Sequence, residues 1–355
     1  MSARVASPRP VGDGRRPSRR PGGEQSPVRA QSGAVPPSLR AVGADESPSD
    51  SPVRLTYHDV TSADGTRLRA WTNDPDRALP GPTVLLCNGL GTNPYTWPFL
   101  LDPACDVRVV SWQHRGVGGS ERPVDRCHIG IDSLVEDAVA VMDDAGLDRA
   151  PTIGWSMGVN TQFELATLHP DRVAGLFALA GVPGATFSTM LEPTRLPAPV
   201  RRSLAVGTTR VARLLGPAIS TVAQALPVTP RTISVLGRTG FMFPIEDREN
   251  AAAAVREFLT TPFDWYFHLA LHAARHQRVS LSTIDVPAMF VAGSADILAG
   301  SHAMRSAAER MADATYVELR GSHFIAMEQP AEVHRLLREL LARVAEREAP
   351  AGGTD

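Results

Sequence analysis

Ser156, Asp296 and His323, in that order along 355 residues, are the side chains whose types and positions can do covalent chemistry. Ser156 sits in Gly154-Trp155-Ser156-Met157-Gly158, after the apolar run Ala150 to Trp155 and before a helically patterned segment, Met157 to His169. Gly-x-Ser-x-Gly between a strand and a helix forms a nucleophile elbow, a strained turn that lifts the hydroxyl clear of the sheet. A side chain at either glycine would strike the neighbouring strand or helix. A hydroxyl is a weak nucleophile alone. An imidazole can take its proton, and a carboxylate can fix the imidazole tautomer and steady its cation. Asp296, in Ala292-Gly293-Ser294-Ala295-Asp296, follows a late strand, and His323, in Gly321-Ser322-His323-Phe324, follows the last one. The loop Ala180-Gly181-Val182-Pro183-Gly184, after the strand before, holds no carboxylate, which leaves Asp296 as the candidate acid.

An acyl transfer also needs donors for the developing oxyanion. The expected pair is the N–H of Met157, at the positive end of its helix, and the N–H of Leu90 in Asn88-Gly89-Leu90-Gly91, where Gly89 lets the backbone turn inward. Phe241 and Phe243, with Met242 between them, are the expected wall of a substrate pocket, because consecutive bulky apolar residues are rarely left in water. His114 is placed near the mouth of the site, within reach of substrate. Glu328 reads as part of the entry to the final helix and not as a mechanistic acid, and Trp155 reads as packing. His268, His272 and His276 recur every fourth residue, a spacing that could bind zinc, but no nearby carboxylate or cysteine completes a site. They read as one face of a helix, and no metal is expected.

These residues need a scaffold, and the chain supplies an alternating one. Val53 to Thr61 and Thr66 to Asn73 flank Asp64-Gly65, a hairpin turn. Thr83 to Asn88 and Val107 to Trp112 are continuous apolar runs, as in strands buried on both faces. Tyr95 to Leu101 reads as a short helix, and Ile131 to Ala145 as a longer one closed by Gly146. The elbow strand and helix follow, then a strand at Val173 to Ala180. From 183 to 283 the pattern is helical and proline-broken, with helices expected at Pro199 to Leu215, Ala218 to Leu226, Arg248 to Leu259 and Pro262 to Arg278. Strands at Val286 to Ala292 and Thr315 to Leu319 resume the alternation, with helices at His302 to Met311 and Ala331 to Glu346. The fold class is α/β, a doubly wound, mostly parallel sheet with right-handed crossovers. Residues 53–182 and 284–348 form its core, and 183–283 an inserted helical lid over the carboxyl edge, where open α/β sheets place their sites.

Composition narrows the function. Residues 1–52 are rich in Pro, Ser, Gly and Arg without apolar periodicity, and read as a disordered tail. Arg15-Arg16 and Arg19-Arg20 precede no apolar stretch, so they do not read as an export signal. A net charge of −2 gives no global field for nucleic acid, and no stable membrane insertion is expected. Cys87, Cys105 and Cys127 lack metal or disulfide spacing and suit a reducing, cytoplasmic compartment. Every basic residue is arginine, which excludes Schiff-base lysine chemistry and the P-loop lysine.

Four motifs carry a family likeness: Asn88-Gly89-Leu90-Gly91, Arg115-Gly116-Val117-Gly118-Gly119-Ser120, the elbow pentapeptide and Gly321-Ser322-His323-Phe324. From about 53 to 345 the chain resembles the α/β-hydrolase superfamily. Ser156 rather than aspartate at the elbow sets it apart, by that resemblance, from haloalkane dehalogenases and epoxide hydrolases. It departs from the usual pattern at Asn88, where the family has histidine, and at Gln113-His114-Arg115-Gly116, which lacks an aspartate before x-Arg-Gly. The Asn-Gly form is similar to that of polyhydroxyalkanoate depolymerase-like members. The resemblance implies a cofactor-free serine hydrolase acting on a small acyl ester or thioester. An acyltransferase or perhydrolase with the same triad, or a non-catalytic ligand-binding protein on this fold, stays open, as does the oligomeric state.

Overall fold

The computed structural model describes residues 55–102 and 104–349. The expected tail, 1–52, and the first residues of the expected hairpin lie outside the described residues. The hairpin itself is present, β1 (Thr56–Thr61) pairing antiparallel with β2 (Arg67–Thr72) around the Asp64-Gly65 turn. β3 (Thr83–Cys87), β4 (Arg108–Trp112), β5 (Ala150–Trp155), β6 (Val173–Leu179), β7 (Ala288–Gly293) and β8 (Ala314–Leu319) complete one sheet. Its order is β1-β2-β4-β3-β5-β6-β7-β8, and β3 to β8 run parallel.

The continuous apolar runs have the expected cause. In β3, Leu85 and Cys87 face one core, while Val84 and Leu86 face the other. Strand side chains alternate, so a strand covered on both faces must be apolar at every position. The first core is closed by α1 (Ile131–Asp144) and α2 (Met157–Leu168).

Between β6 and β7 the chain is helical: α3 (Thr186–Thr189), α4 (Ala198–Ala225), α5 (Pro230–Leu236), α6 (Arg248–Leu259) and α7 (Phe263–Ala273). After β7 come α8 (Ser301–Ala308), on the first core, and after β8 α9 (Ile325–Glu328) and α10 (Pro330–Glu348), the latter closing the second core.

Three helical expectations are corrected here. The two helices expected on either side of Pro217 are one, because α4 runs through it. Proline normally clashes with the Cβ of the residue before it. That residue is Gly216, which has none and lies against the backbone of Asp264 on α7. The last of the expected lid helices stops at Ala273, short of Arg278, so His276 lies beyond it. Tyr95 to Leu101 is two single 3₁₀ turns, each opened by a proline, Pro94 and Pro98, that cannot donate to a preceding turn. Among the described residues, no helix is long and apolar enough to cross a membrane.

Candidate active site

β5 delivers Ser156 to the carboxyl edge of the sheet, and the backbone there is strained. Ser156 has φ 54° and ψ −116°, a region that costs a non-glycine residue about 1–3 kcal/mol. Surrounding bonds hold it, with the Ser156 N–H donating to Leu179 O at 3.0 Å and the Val159 N–H donating to Ser156 O at 3.1 Å. The glycines of the elbow are sterically required. A Cβ at Gly158 would run into the carbonyl oxygens of Cys87 and Asn88, and one at Gly154 would press on the Gln162 side chain at 2.6 Å. The turn thus lets α2 pack directly on the end of β3.

The structure brings the three predicted polar side chains together. His323 Nε2 lies 2.9 Å from Ser156 Oγ, and His323 Nδ1 lies 2.8 Å from Asp296 Oδ2. The Asp296 side chain is fully buried, and its other oxygen accepts the N–H groups of Leu298 at 2.7 Å and Ala299 at 2.9 Å. Its two oxygens are therefore committed, one to the loop and one to the imidazole. The loops after β7 and β8 are tied to each other, Ala295 donating its N–H to Gly321 O at 2.8 Å. Trp155 does more than fill space, because its indole N–H donates to His323 O at 3.1 Å.

Asn88 braces the loop that carries Leu90. Its Oδ1 accepts the indole N–H of Trp97 at 3.0 Å and the N–H of Gly89 at 3.2 Å. Thr92 Oγ1 donates to Gly89 O at 2.6 Å. The N–H groups of Leu90 and Met157 donate to no acceptor among the described residues, and both residues line the cavity above Ser156. Two unspent donors beside a serine hydroxyl are the arrangement an oxyanion would require.

That cavity has a volume of about 380 Å³. The helical insertion supplies most of its wall, including Phe187, Leu236, Phe241, Met242, Phe258 and Tyr266, and none of its lining residues is Asp, Glu, Lys or Arg. Of the expected wall, Phe241 and Met242 are there and Phe243 is not; three successive side chains cannot all point one way, and the N–H of Phe243 is turned to Glu328 Oε1 at 2.7 Å. His114 is also corrected. It is buried away from the cavity lining, its Nδ1 without a partner, and burial pulls its imidazole down to about 4. The histidine series does not form one face. The rings of His268 and His272 meet at 4.8 Å, while His276 turns to Asn160 Oδ1 at 3.2 Å and Glu164 Oε2 at 3.0 Å on α2.

Glu328 is the residue whose role the sequence hid. Besides the Phe243 N–H, its carboxylate accepts the N–H of Ser322 at 2.8 Å and the hydroxyl of Ser322 at 2.5 Å. One carboxylate thus joins the loop that carries His323 to the strip of insertion that carries Phe241 and Met242. The available signal was a hydroxyl beside the histidine with a carboxylate six residues later.

Residues 82–330 match the family model described as alpha/beta hydrolase fold. Epoxide hydrolase A of Mycobacterium tuberculosis is 27% identical over 319 residues, 79% of this chain and 96% of that protein. The putative carbamate hydrolase RutD of Caulobacter segnis is 35% identical over 99 residues, 28% of this chain and 37% of its own. The solved structure of the enol-lactonase from Burkholderia xenovorans LB400 has a TM-score of 0.58 at 23% identity, covering 81% of this chain and 100% of that one. Epoxide hydrolase CorEH without ligand has a TM-score of 0.59 at 19% identity, covering 81% and 99%. The structural likenesses bear on the fold.

Proposed function

The chain belongs to the alpha/beta hydrolase fold family, and from that premise we propose that it is a serine hydrolase cleaving a carboxylic ester or thioester through an acyl-enzyme. The observation that carries this reading is the unbroken relay from Asp296 through His323 to Ser156, ending in an apolar cavity beside two unspent amides. Ser156 Oγ attacks the acyl carbon while His323 Nε2 takes its proton. The N–H groups of Leu90 and Met157 hold the oxyanion, and His323 returns the proton to the departing alcohol or thiol. Water, activated by the same imidazole, then attacks the acyl-enzyme and releases the acid. Asp296 keeps the imidazole in the tautomer that both halves need.

A relative named for epoxide hydrolysis raises the alternative of an epoxide substrate. Chemistry favours the ester. Attack by a serine on an epoxide carbon would leave an ether, which offers no carbonyl for water to attack, so the enzyme would stop after one turnover. Attack on an ester leaves another ester, which the same machinery can hydrolyse.

The cavity supports a substrate whose acyl part is apolar and uncharged. Each methylene buried is worth about 0.8 kcal/mol, so kcat/KM should rise roughly three- to fourfold per methylene from acetate until the cavity is full. Phe241→Ser should flatten that slope, and Phe243→Ser should not. The test pairs a chain-length series of esters with labelling by a serine-directed phosphonate. Labelling and turnover should both disappear in Ser156→Ala. Turnover surviving in that variant would overturn the acyl-enzyme, and a preference for acetate unaltered by Phe241→Ser would overturn the acyl pocket.

A further inference from the structure

Thirteen large apolar side chains stand exposed among the described residues, and six of them lie on one helix, α4. Val200, Leu204, Val211, Leu215 and Val222 are spaced by four and seven residues, which on a helix of 3.6 residues per turn is a single stripe. Leu214, 81% exposed, borders it. The opposite face of α4 is already used. Ala205, Gly216 and Ala223 are buried there, and Gly216 lies so close to α7 that a Cβ would collide with the Asp264 backbone. The outer stripe is therefore not waiting for a neighbour within this fold.

Charge says what kind of surface covers it. α4 carries Arg201, Arg202, Arg210 and Arg213 and no carboxylate. Among the described residues none of the four is in an ion pair. Arg202, Arg210 and Arg213 line a cleft with Arg275, His268 and a single acid, Asp264. Residues 183–283 hold eleven arginines against six carboxylates, in a chain whose net charge is −2. A second copy of α4 would bring arginines against arginines. Residues 1–52, with eight arginines and five carboxylates, have the same sign. Arg201 and Arg210 fall on either flank of the stripe, and an apolar stripe flanked by arginines matches a layer with acyl chains below and anionic headgroups above.

We propose that the outer face of α4 is a membrane-docking surface that lies in the plane of an anionic lipid bilayer. The helix does not cross, since no described helix is apolar enough to do so. The stripe sinks to the headgroup boundary and the flanking Arg210 reaches the phosphates. Docking does not depend on the catalytic reading. Resting on that reading is only its use: α4 packs on α3 and α7, where Phe187 and Ala270 also line the cavity, so a bilayer-dissolved ester would be met one helix away from Ser156.

The test is flotation of the full chain with phosphatidylcholine vesicles, with and without phosphatidylglycerol. The chain should float with the anionic vesicles, weakly with the neutral ones, and less as salt rises. Val211→Ser with Leu214→Ser should lower partitioning at least about tenfold. Arg210→Gln should lower it roughly fivefold and reduce the salt dependence. Circular dichroism of each variant should be unchanged, since these side chains are exposed. No flotation of the parent chain would overturn the proposal. So would equal flotation of the double-serine variant, which would assign binding to another surface such as the basic tail. A vesicle-free dimer that Leu214→Glu dissociates, with flotation unaltered, would give the face to a second copy instead.

Discussion

Among the buried clusters of polar side chains, the two around Arg115 and around His323 have opposite endings. Every donor of the Arg115 guanidinium is spent. Its Nε meets Asp137 at 2.9 Å, Nη1 meets Asp64 at 2.6 Å and His128 O at 3.0 Å, and Nη2 meets Asp137 at 2.7 Å and Ser62 Oγ at 3.0 Å. This cluster joins the β1–β2 turn, α1 and the loop after β4, and none of its members lines the cavity above Ser156. The cluster around His323 also begins in a fully committed carboxylate, Asp296. It ends, however, in a hydroxyl and two amides that face an apolar cavity. A buried network that satisfies itself fixes a structure, and one that stops short of satisfaction at a cavity is set for a reaction. Burial and charge alone do not separate the two.

The sharpest way to break this comparison is to damage each cluster while keeping its shape. Asp296→Asn should lower kcat on the order of 10⁴, because an amide facing Nδ1 favours the wrong tautomer, and the melting temperature should hardly move. Arg115→Met should do the reverse. It leaves Asp137 buried without its partner, a loss of about 3–5 kcal/mol of stability, while the folded fraction keeps its kcat. Urea titration with steady-state kinetics checks both. An Arg115 variant that is stable but inactive would place that cluster in the mechanism.

His114 sharpens the contrast, being a buried polar group that belongs to neither network. Its folded pKa, about 4, lies below the unfolded value of about 6.5. Between these the unfolded chain binds more protons, so stability rises with pH across that window and is lost as pH falls through it. The loss should reach about 3 kcal/mol between pH 6.5 and 4. His114→Gln should remove most of that slope in urea titrations at several pH values, leaving kcat/KM at pH 7.5 unchanged.

Where the sequence was readable, chemistry or sterics left few choices. The elbow glycines, Ser156 and the ends of late strands follow from what a strained turn and a proton relay need, and the sheet follows from apolar runs buried on both faces. Apart from the prolines that shorten Tyr95 to Leu101 into two turns, the misreadings share one cause, which is direction in space. His114 adjoins Arg115 in sequence but points into protein, and Phe243 adjoins Met242 but turns its amide to Glu328. Pro217 suggests a break that does not occur, because Gly216 before it has no Cβ and sits at a close crossing with α7. Nothing local in the sequence encodes such crossings. Glu328 was hidden for the same reason, since one of its partners is 85 residues away.

Glu328 gives the smallest expected effect and the finest test, because it touches the reactive cluster without belonging to it. Its Oε1 accepts from Phe243 N–H and Ser322 Oγ, and its Oε2 from Ser322 N–H. In Glu328→Gln the amide oxygen can keep one side of this arrangement, but the NH₂ then opposes a donor. Losing a hydrogen bond to a charged acceptor is worth about 1.5–3 kcal/mol. Part of that should appear as stability, and the rest as loosened positions for His323 and for the wall at Phe241 and Met242. The expected result is a loss of kcat/KM of about tenfold, with KM rising more for long-chain esters than for acetate. Ser322→Ala, which releases the histidine loop but leaves Phe243 anchored, should instead lower kcat by a similar factor at every chain length. A purely structural carboxylate would lower the melting temperature in both variants and leave the two kinetic patterns alike, in which case Glu328 would be grouped with Arg115.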